Sequence, residues 1–328
     1  MYGDIILFKS GLEFQSLSGC LRNALSEKVV NSMFVKIERQ PVSIYKLFKS
    51  LCSRLLVASL LDLDFHKDQS LIQRVIDLST THWHGLISIP VGLKGPLGAS
   101  TGYARAIEAR RSLGRLVEAR LEEISQSPPP LAFLPPFAQL PFASRDVAVD
   151  HVILMMSALP AKALASLLTS FVGSLKFWKH DCARPLQPED PALNSVLCEI
   201  LRMWPPFMGG RRIADKPLNI CGFSIPEGRS VIFSILSAHR DPSVFPEPET
   251  FKPSRWNDCS CDDYLFAFGY QYRSCIGQQF SVRLFKTIAC EFFNRYSWSI
   301  VNEADCDQYK FVPVARPKTL PMAQLRAV

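Results

Sequence analysis

Apolar residues recur every three or four positions along several long segments of the chain, which is the period of an amphipathic helix. The pattern predicts helices within residues 11–65 and across residues 103–124. Another helix is predicted after Gly277, where the apolar residues that share one face are Phe280, Leu284, Ile288 and Phe292. Strand patterns are confined to short stretches around residues 218–235 and in the tail, residues 311–325. The sequence therefore predicts a mostly α fold with small β sheets.

The longest apolar run, residues 151–178, has the length and apolar content of a helix that spans a bilayer. Pro160 and Lys162 lie in its middle, where a membrane span rarely carries a charge. A helix that is apolar on all sides is also typical of the centre of a large domain. We favour this second interpretation and expect Pro160 to kink the helix.

Composition narrows the class of protein. The chain has 328 residues, of which 48% are hydrophobic and 20% charged, so it is globular and not disordered or collagen-like. This length fits about two domains or one large one. The net charge of +7 is scattered, which suits an acidic partner or an anionic membrane surface and not nucleic acid. Ten cysteines without a secretory leader predict reduced thiols, either in the cytosol or on a membrane facing it.

The segment 268–277 carries the clearest chemical signal. Cys275 stands directly before an amphipathic helix, where the helix dipole and free backbone N–H groups lower the pKa of a thiol. Arg273 adds positive charge, and Gly277 lets a flat ligand approach the backbone. These features predict a deprotonated cysteine that binds a metal. A small buried hydrophobe is the alternative for a lone cysteine.

At this segment the sequence resembles the heme-thiolate monooxygenases of the cytochrome P450 family, whose axial ligand is a cysteine thiolate. The family pattern runs Phe, two residues, Gly, one residue, Arg, one residue, Cys, one residue, Gly. Phe268, Arg273, Cys275 and Gly277 are in register, whereas Gln271 stands where the family usually has glycine. The resemblance implies that Cys275 is the ligand of the heme iron. It also implies that Arg273 contacts a heme propionate and that Phe268 packs on the thiolate side.

Two further segments are similar to the family. The residues from Glu199 to Arg202 match its Glu-x-x-Arg helix, and residues 251–256 match its Phe-x-Pro-x-Arg-Trp segment. The resemblance implies a buried charge triad of Glu199, Arg202 and Arg255 behind the heme loop. One carboxylate between two guanidiniums satisfies several donors at once and fixes their geometry. Residues 239–242 also look like the family's connecting stretch.

Residues 202–212 look most like the retinoic-acid- and sterol-oxidising branches of the family. The resemblance places Arg212 as a second propionate partner, with Phe207 and Met208 lining the substrate pocket. The alternative for Arg211 and Arg212 is a pair of surface arginines.

The chain departs from the family in two respects. Family members are usually longer, so the resemblance implies that residues 1–328 are a single, partial domain with a cytochrome P450 fold that is truncated at its N-terminus. The run 151–178 is the natural distal helix, which faces the heme. Residues 157–163 of that run lack the acid and alcohol that the family uses there to deliver protons. Lys162 is either a proton source or, as we favour, a snorkelling surface residue.

The resemblance implies oxidation of a lipophilic small molecule, similar to a sterol, retinoid or terpenoid, with O2 and electrons from a reductase. The cofactor would be heme, held by the loop and following helix of residues 266–296. Two alternatives stay open. One is a heme-thiolate peroxygenase or isomerase without ordinary oxygen activation, and the other is an inactive fragment that serves only as an interaction module.

Overall fold

The computed structural model describes residues 40–91, 101–126, 144–175, 185–257, 262–271, 274–275, 277–302 and 308–328. Its α-helices are α1 (Ile44–Leu60), α2 (Gln69–Leu86), α3 (Gly102–Gln126), α4 (Arg145–Met155), α5 (Ala158–Ser174), α6 (Pro191–Met203), α7 (Ile235–Ala238) and α8 (Gln278–Arg295). Short 3-10 helices cover Pro253–Trp256, Asp262–Tyr264 and Phe266–Phe268. The predictions of helices over 103–124 and after Gly277 are confirmed, and the part of 11–65 that precedes residue 40 lies outside the described residues.

The strands form small sheets, as predicted, and the structure shows that their pairs are antiparallel. They are β1 (Val42–Ser43), β2 (Gly209–Ile213), β3 (Leu218–Ile220), β4 (Phe223–Ile225), β5 (Ser230–Ser234), β6 (Tyr296–Ile300), β7 (Tyr309–Lys310), β8 (Arg316–Pro317) and β9 (Met322–Ala327). The three-stranded sheet has the order β1-β9-β6, while β2 pairs with β5, β3 with β4 and β7 with β8. The C-terminal tail therefore closes against the start of α1.

The run 151–178 does not form one helix, so the predicted single helix is wrong. Helix α4 ends at Met155, and Ser157 is extended, with φ −59° and ψ 156°, before α5 begins at Ala158. The buried hydroxyl of Ser79 donates to the Met156 carbonyl at 3.0 Å and so satisfies an acceptor at the break. Pro160 lies in the first turn of α5, where a missing N–H costs little, and it does not kink a continuous helix.

Helix α5 lies at the centre of the described fold and contacts α1, α2, α6 and α8. Phe171 of α5 packs edge-on against Phe285 of α8, with ring centroids 5.7 Å apart. Residues 145–174 are long and apolar enough to cross a membrane by composition, but 65% of their most apolar window is buried inside the protein. Such burial is typical of a core helix, which is the interpretation that the sequence favoured.

Candidate functional site

Helix α6 carries the first two members of the predicted triad. It starts where the Asp190 side chain accepts the Ala192 N–H at 2.9 Å and Pro191 takes the first helical position, a common combination at helix N-termini. Glu199 and Arg202 lie three positions apart on the buried face of the helix. Both side chains are fully buried, so each charge needs a partner inside the protein.

Arg202 is satisfied by one carboxylate and three carbonyls. Its Nε and Nη2 donate to the two Glu199 carboxylate oxygens, each at 2.9 Å. Its Nη1 donates to the carbonyls of His239 at 2.9 Å and Pro248 at 2.7 Å, and its Nη2 also reaches the Thr250 carbonyl at 3.2 Å. The guanidinium therefore ties α6 to the irregular segment that follows α7.

The Glu199 carboxylate accepts three more hydrogen bonds, from the segment 252–256. The donors are Arg255 Nε at 3.2 Å, Trp256 Nε1 at 2.9 Å and the Lys252 backbone N–H at 2.8 Å. Burial by itself would raise the pKa of Glu199, but the bonds from Arg202, Lys252 and Trp256 outweigh it and hold the pKa below its ordinary value. The structure thus brings Glu199, Arg202 and Arg255 together around one ionised carboxylate.

His239 connects this network to the cysteine loop. Its Nε2 accepts the Phe266 backbone N–H at 2.8 Å, so Nδ1 carries the ring proton and faces the Arg202 carbonyl at 3.2 Å. Its imidazole also stacks on the Phe266 ring, with centroids 6.2 Å apart. Burial is the main cause that lowers the pKa of His239 to about 4. A neutral imidazole therefore bridges α6 and the loop, a role that the sequence analysis missed.

A tight backbone arrangement holds Cys275 in the loop. The Cys275 N–H donates to the Phe268 carbonyl at 2.6 Å, and its own carbonyl accepts the Gln278 N–H at 3.1 Å at the start of α8. Between these points, the Ser274 N–H and hydroxyl both donate to the Gln271 carbonyl, at 3.0 Å and 2.7 Å. The cysteine is therefore fixed on both sides, by the loop before it and by the helix after it.

Gln271 is the residue that departs from the family pattern, and the backbone there explains why glycine is usual. Its φ is 49°, in the left-handed region that favours glycine. A residue with a Cβ pays roughly 1 kcal/mol or more for this conformation. Gln271 therefore keeps the turn but strains it.

The Cys275 thiol is exposed, yet protein atoms surround its sulfur closely enough that desolvation matters. Desolvation raises the pKa of Cys275 above its ordinary value, and the backbone N–H of Gly277 lowers it only in part. The predicted lowering of this pKa is therefore wrong, because one helix N-terminal N–H does not outweigh the lost hydration. A thiol in such a site loses its proton when a metal binds it.

The other predicted site residues are less closely tied to Cys275. Phe268 is half-buried against the main core, and Arg273 lies outside the described residues. Arg212 is exposed on β2, where it donates to the Arg211 carbonyl at 2.9 Å and lies 5.2 Å from the centroid of the Phe233 ring. Phe207 and Met208 are 36% and 41% exposed. These contacts match the surface-pair alternative for Arg212, and its propionate role stays a prediction.

All four hydroxyls of α5 form hydrogen bonds within the protein. Thr169 donates to the Ala165 carbonyl at 2.6 Å, Ser166 to the Ala315 carbonyl, and Ser174 to the Phe171 carbonyl at 2.9 Å. Ser170 shares a 3.1 Å hydrogen bond with the Tyr309 hydroxyl. The Ser157 backbone N–H donates to the Leu154 carbonyl at 3.1 Å, but its side chain does not cap the helix and forms no hydrogen bond among the described residues. The Ser157 hydroxyl, beside the break between α4 and α5, is therefore available to bond a ligand or water.

Comparison with known proteins agrees with the fold. Residues 187–322 match the family model of Cytochrome P450. Putative cytochrome P450 120 of Synechocystis sp. is 26% identical over 268 residues, which are 73% of this chain and 58% of that protein. Beta-amyrin 28-monooxygenase of Barbarea vulgaris is 25% identical over 298 residues, again covering 58% of the relative. The chain thus spans less than two thirds of these relatives.

The solved structure of retinoic acid bound cyanobacterial CYP120A1 superposes with a TM-score of 0.76 at 22% identity, covering 97% of this chain and 77% of that one. The described architecture is therefore the one found in that cytochrome P450 structure. Residues 187–322 are therefore similar in sequence to the cytochrome P450 family, and the described fold is the cytochrome P450 fold. The cofactor of this family is heme with a cysteine thiolate ligand.

Proposed function

We propose that Cys275 is the thiolate ligand of the heme iron and that this protein oxidises a lipophilic small molecule with O2 and electrons from a reductase. The observation that carries the proposal is a continuous path of hydrogen bonds. It runs from Glu199 through Arg202 and His239 to Phe266, and the Phe268 carbonyl two residues later holds the Cys275 N–H. A path of this kind positions a sulfur more precisely than an isolated loop does.

The chemistry of Cys275 also fits an iron ligand better than that of the other described cysteines. Cys52 and Cys290 are buried, and burial raises the pKa of Cys290 to about 12. Cys198 is half-buried within α6, and Cys221 lies exposed in the turn between β3 and β4 with no helix behind it. Among the described residues, Cys275 alone combines an exposed sulfur with a helix N-terminus.

When bound, the heme supplies the activation of oxygen, and the protein supplies binding, orientation and protons. Cys275 provides the thiolate, and the Gly277 N–H donates to its sulfur. The network around Glu199 fixes the loop from behind. Arg273 and Arg212 are the proposed partners of the propionates, since arginine matches carboxylate geometry.

Several features support a lipophilic substrate. The related structure carries retinoic acid, and a related enzyme is named for its action on beta-amyrin. Phe207 and Met208 are exposed apolar side chains between α6 and β2, where a pocket wall of the proposed kind is expected. The net charge of +7 suits an acidic reductase or an anionic membrane surface.

A peroxygenase or isomerase is the second candidate, and α5 favours it. The helix contains no acidic residue, and the described contacts of its hydroxyls leave only the neighbouring Ser157 free. Proton delivery from this helix is therefore expected to be poor. Peroxide would bypass that step because its O–O unit is already reduced and protonated.

The ratio of product formed to reductant consumed tests the choice between these functions. We expect the heme-loaded protein with a reductase to release peroxide and form little product, while added peroxide supports more oxidation. A variant with Pro160→Glu and Ala161→Thr restores an acid and an alcohol at neighbouring positions and should raise the ratio. If the unmodified protein forms nearly one product for each reductant consumed, another group, such as Ser157, already delivers the proton.

A further inference from the structure

A buried lysine that has no carboxylate partner among the described residues lies on the face of α5 that points away from α8. Lys162 is only 9% exposed, so the expectation that it is a surface residue is wrong. It lies nine positions before Phe171, which places the two side chains on opposite faces of the helix. Phe171 faces α8, and Lys162 faces α1 and α2 instead, with its Nζ 5.8 Å from the centroid of the Trp83 ring. Lys162 is therefore on the face of α5 opposite to α8, the helix that follows Cys275.

Two more cations lie at the same contact. Tyr45 and Lys49 are four positions apart and share one face of α1, the helix that packs most extensively on α5. Arg316 lies over the Tyr45 ring, 5.3 Å from its centroid. The residue before Arg316, Ala315, accepts the hydroxyl of Ser166, which stands one turn after Lys162 on α5. Three elements thus direct Lys49, Lys162 and Arg316 toward one region.

No described acidic side chain forms an ion pair with any of these three cations, although Lys162 is nine-tenths buried. Burial lowers the pKa of Lys162, and the nearby charges of Lys49 and Arg316 lower it further. At the same contact, Trp83 Nε1 is buried and lacks a hydrogen-bond partner among the described residues. The Tyr45 hydroxyl is also buried and lies beside Arg316, whose guanidinium partly offsets the rise in the Tyr45 pKa that burial causes. A largely buried lysine beside two further cations, together with an unpaired buried donor, costs free energy, and a bound anion would reduce that cost.

We propose that Lys49, Lys162 and Arg316 bind a small anionic group between α1, α2 and α5, with Trp83 and Tyr45 as additional donors. A group that only accepts hydrogen bonds fits, because every unpaired polar atom named here is able to donate one. Chloride or a carboxylate has this chemistry. The source is either a free anion or the head of a lipophilic acid, and the site is separate from that of the thiolate.

The thermal midpoint of unfolding, measured at constant ionic strength, tests the site. Sodium gluconate serves as the background salt, because its anion is too bulky to enter the cluster. Chloride, acetate or octanoate then replaces gluconate in increasing amounts. A ligand that binds only the folded state raises the midpoint in a saturable manner. We expect chloride and acetate to do so if a free anion is bound. A response to octanoate at concentrations where acetate has none would assign the site to a lipophilic acid.

Lys162→Met is expected to abolish the anion dependence, while Lys67→Met keeps it. Lys67 is a matched control because its side chain is 83% exposed and loses the same charge. If Lys162→Met does not fold, Lys49→Met retains the buried lysine and should weaken anion binding by about ten-fold. The proposal is overturned if all three anions leave the midpoint of the unmodified protein unchanged. It is equally overturned if Lys162→Met, or Lys49→Met where Lys162→Met does not fold, responds as the unmodified protein does.

Discussion

Glu199→Ala is the substitution that tests the buried network most severely. Glu199 accepts five hydrogen bonds of 2.8–3.2 Å, two of them from Arg202, and removing its carboxylate leaves the fully buried Arg202 without a counter-charge. Arg202 keeps its three carbonyl acceptors, so the loss is that of one buried ion-pair partner. Removing one partner of a buried pair costs about 3–5 kcal/mol of the free energy of unfolding.

Urea unfolding followed by tryptophan fluorescence measures this cost. The matched control is Glu123→Ala, since Glu123 pairs with Arg120 at 2.8 Å but its side chain is 70% exposed. An exposed pair contributes about 0–1 kcal/mol, so the control should unfold almost as the unmodified protein does. A Glu199→Ala protein that loses no more stability than the control would refute the reasoning.

Two further predictions concern the loop and its support. Gln271→Gly should raise the free energy of unfolding by about 1 kcal/mol because glycine accepts a φ of 49° without strain, whereas Gln278→Gly in α8 should lower it. The folded-state pKa of His239, about 4, lies below its unfolded value, so its contribution is complete above about pH 6.5. That contribution, up to about 3 kcal/mol, is lost as the pH falls from 6.5 to 4, and His239→Asn should flatten the stability profile in that window. An unchanged profile, or a Gln271→Gly protein that is less stable, would contradict these assignments.

The sequence predicted the parts of the site whose chemistry depends on spacing. Glu199 and Arg202 are separated by one helical turn, so their mutual contact follows from the sequence once a helix is expected there. Arg255 was expected in the same cluster through the family resemblance, and the structure places its Nε 3.2 Å from the Glu199 carboxylate. Sequence motifs therefore predicted which charged side chains meet in the buried core.

The sequence did not predict features that depend on what surrounds a residue. The thiol pKa of Cys275 was expected to fall because helix position is visible in the sequence, whereas desolvation by distant segments is not. Lys162 was expected at the surface because α1 and α2, which cover it, are more than 70 residues earlier. The break at Ser157 lies inside a continuous apolar run, where hydrophobic periodicity gives no signal.

The reduced carbon-monoxide spectrum of the heme-loaded protein tests the central claim, that Cys275 is the thiolate ligand. We predict the absorption band characteristic of thiolate ligation in the unmodified protein and its loss in Cys275→Ala. Cys221→Ala is the control, because Cys221 is also exposed but lies in a hairpin turn, and it should keep the band. A band that survives in Cys275→Ala, or that is absent from the unmodified protein, would contradict the account.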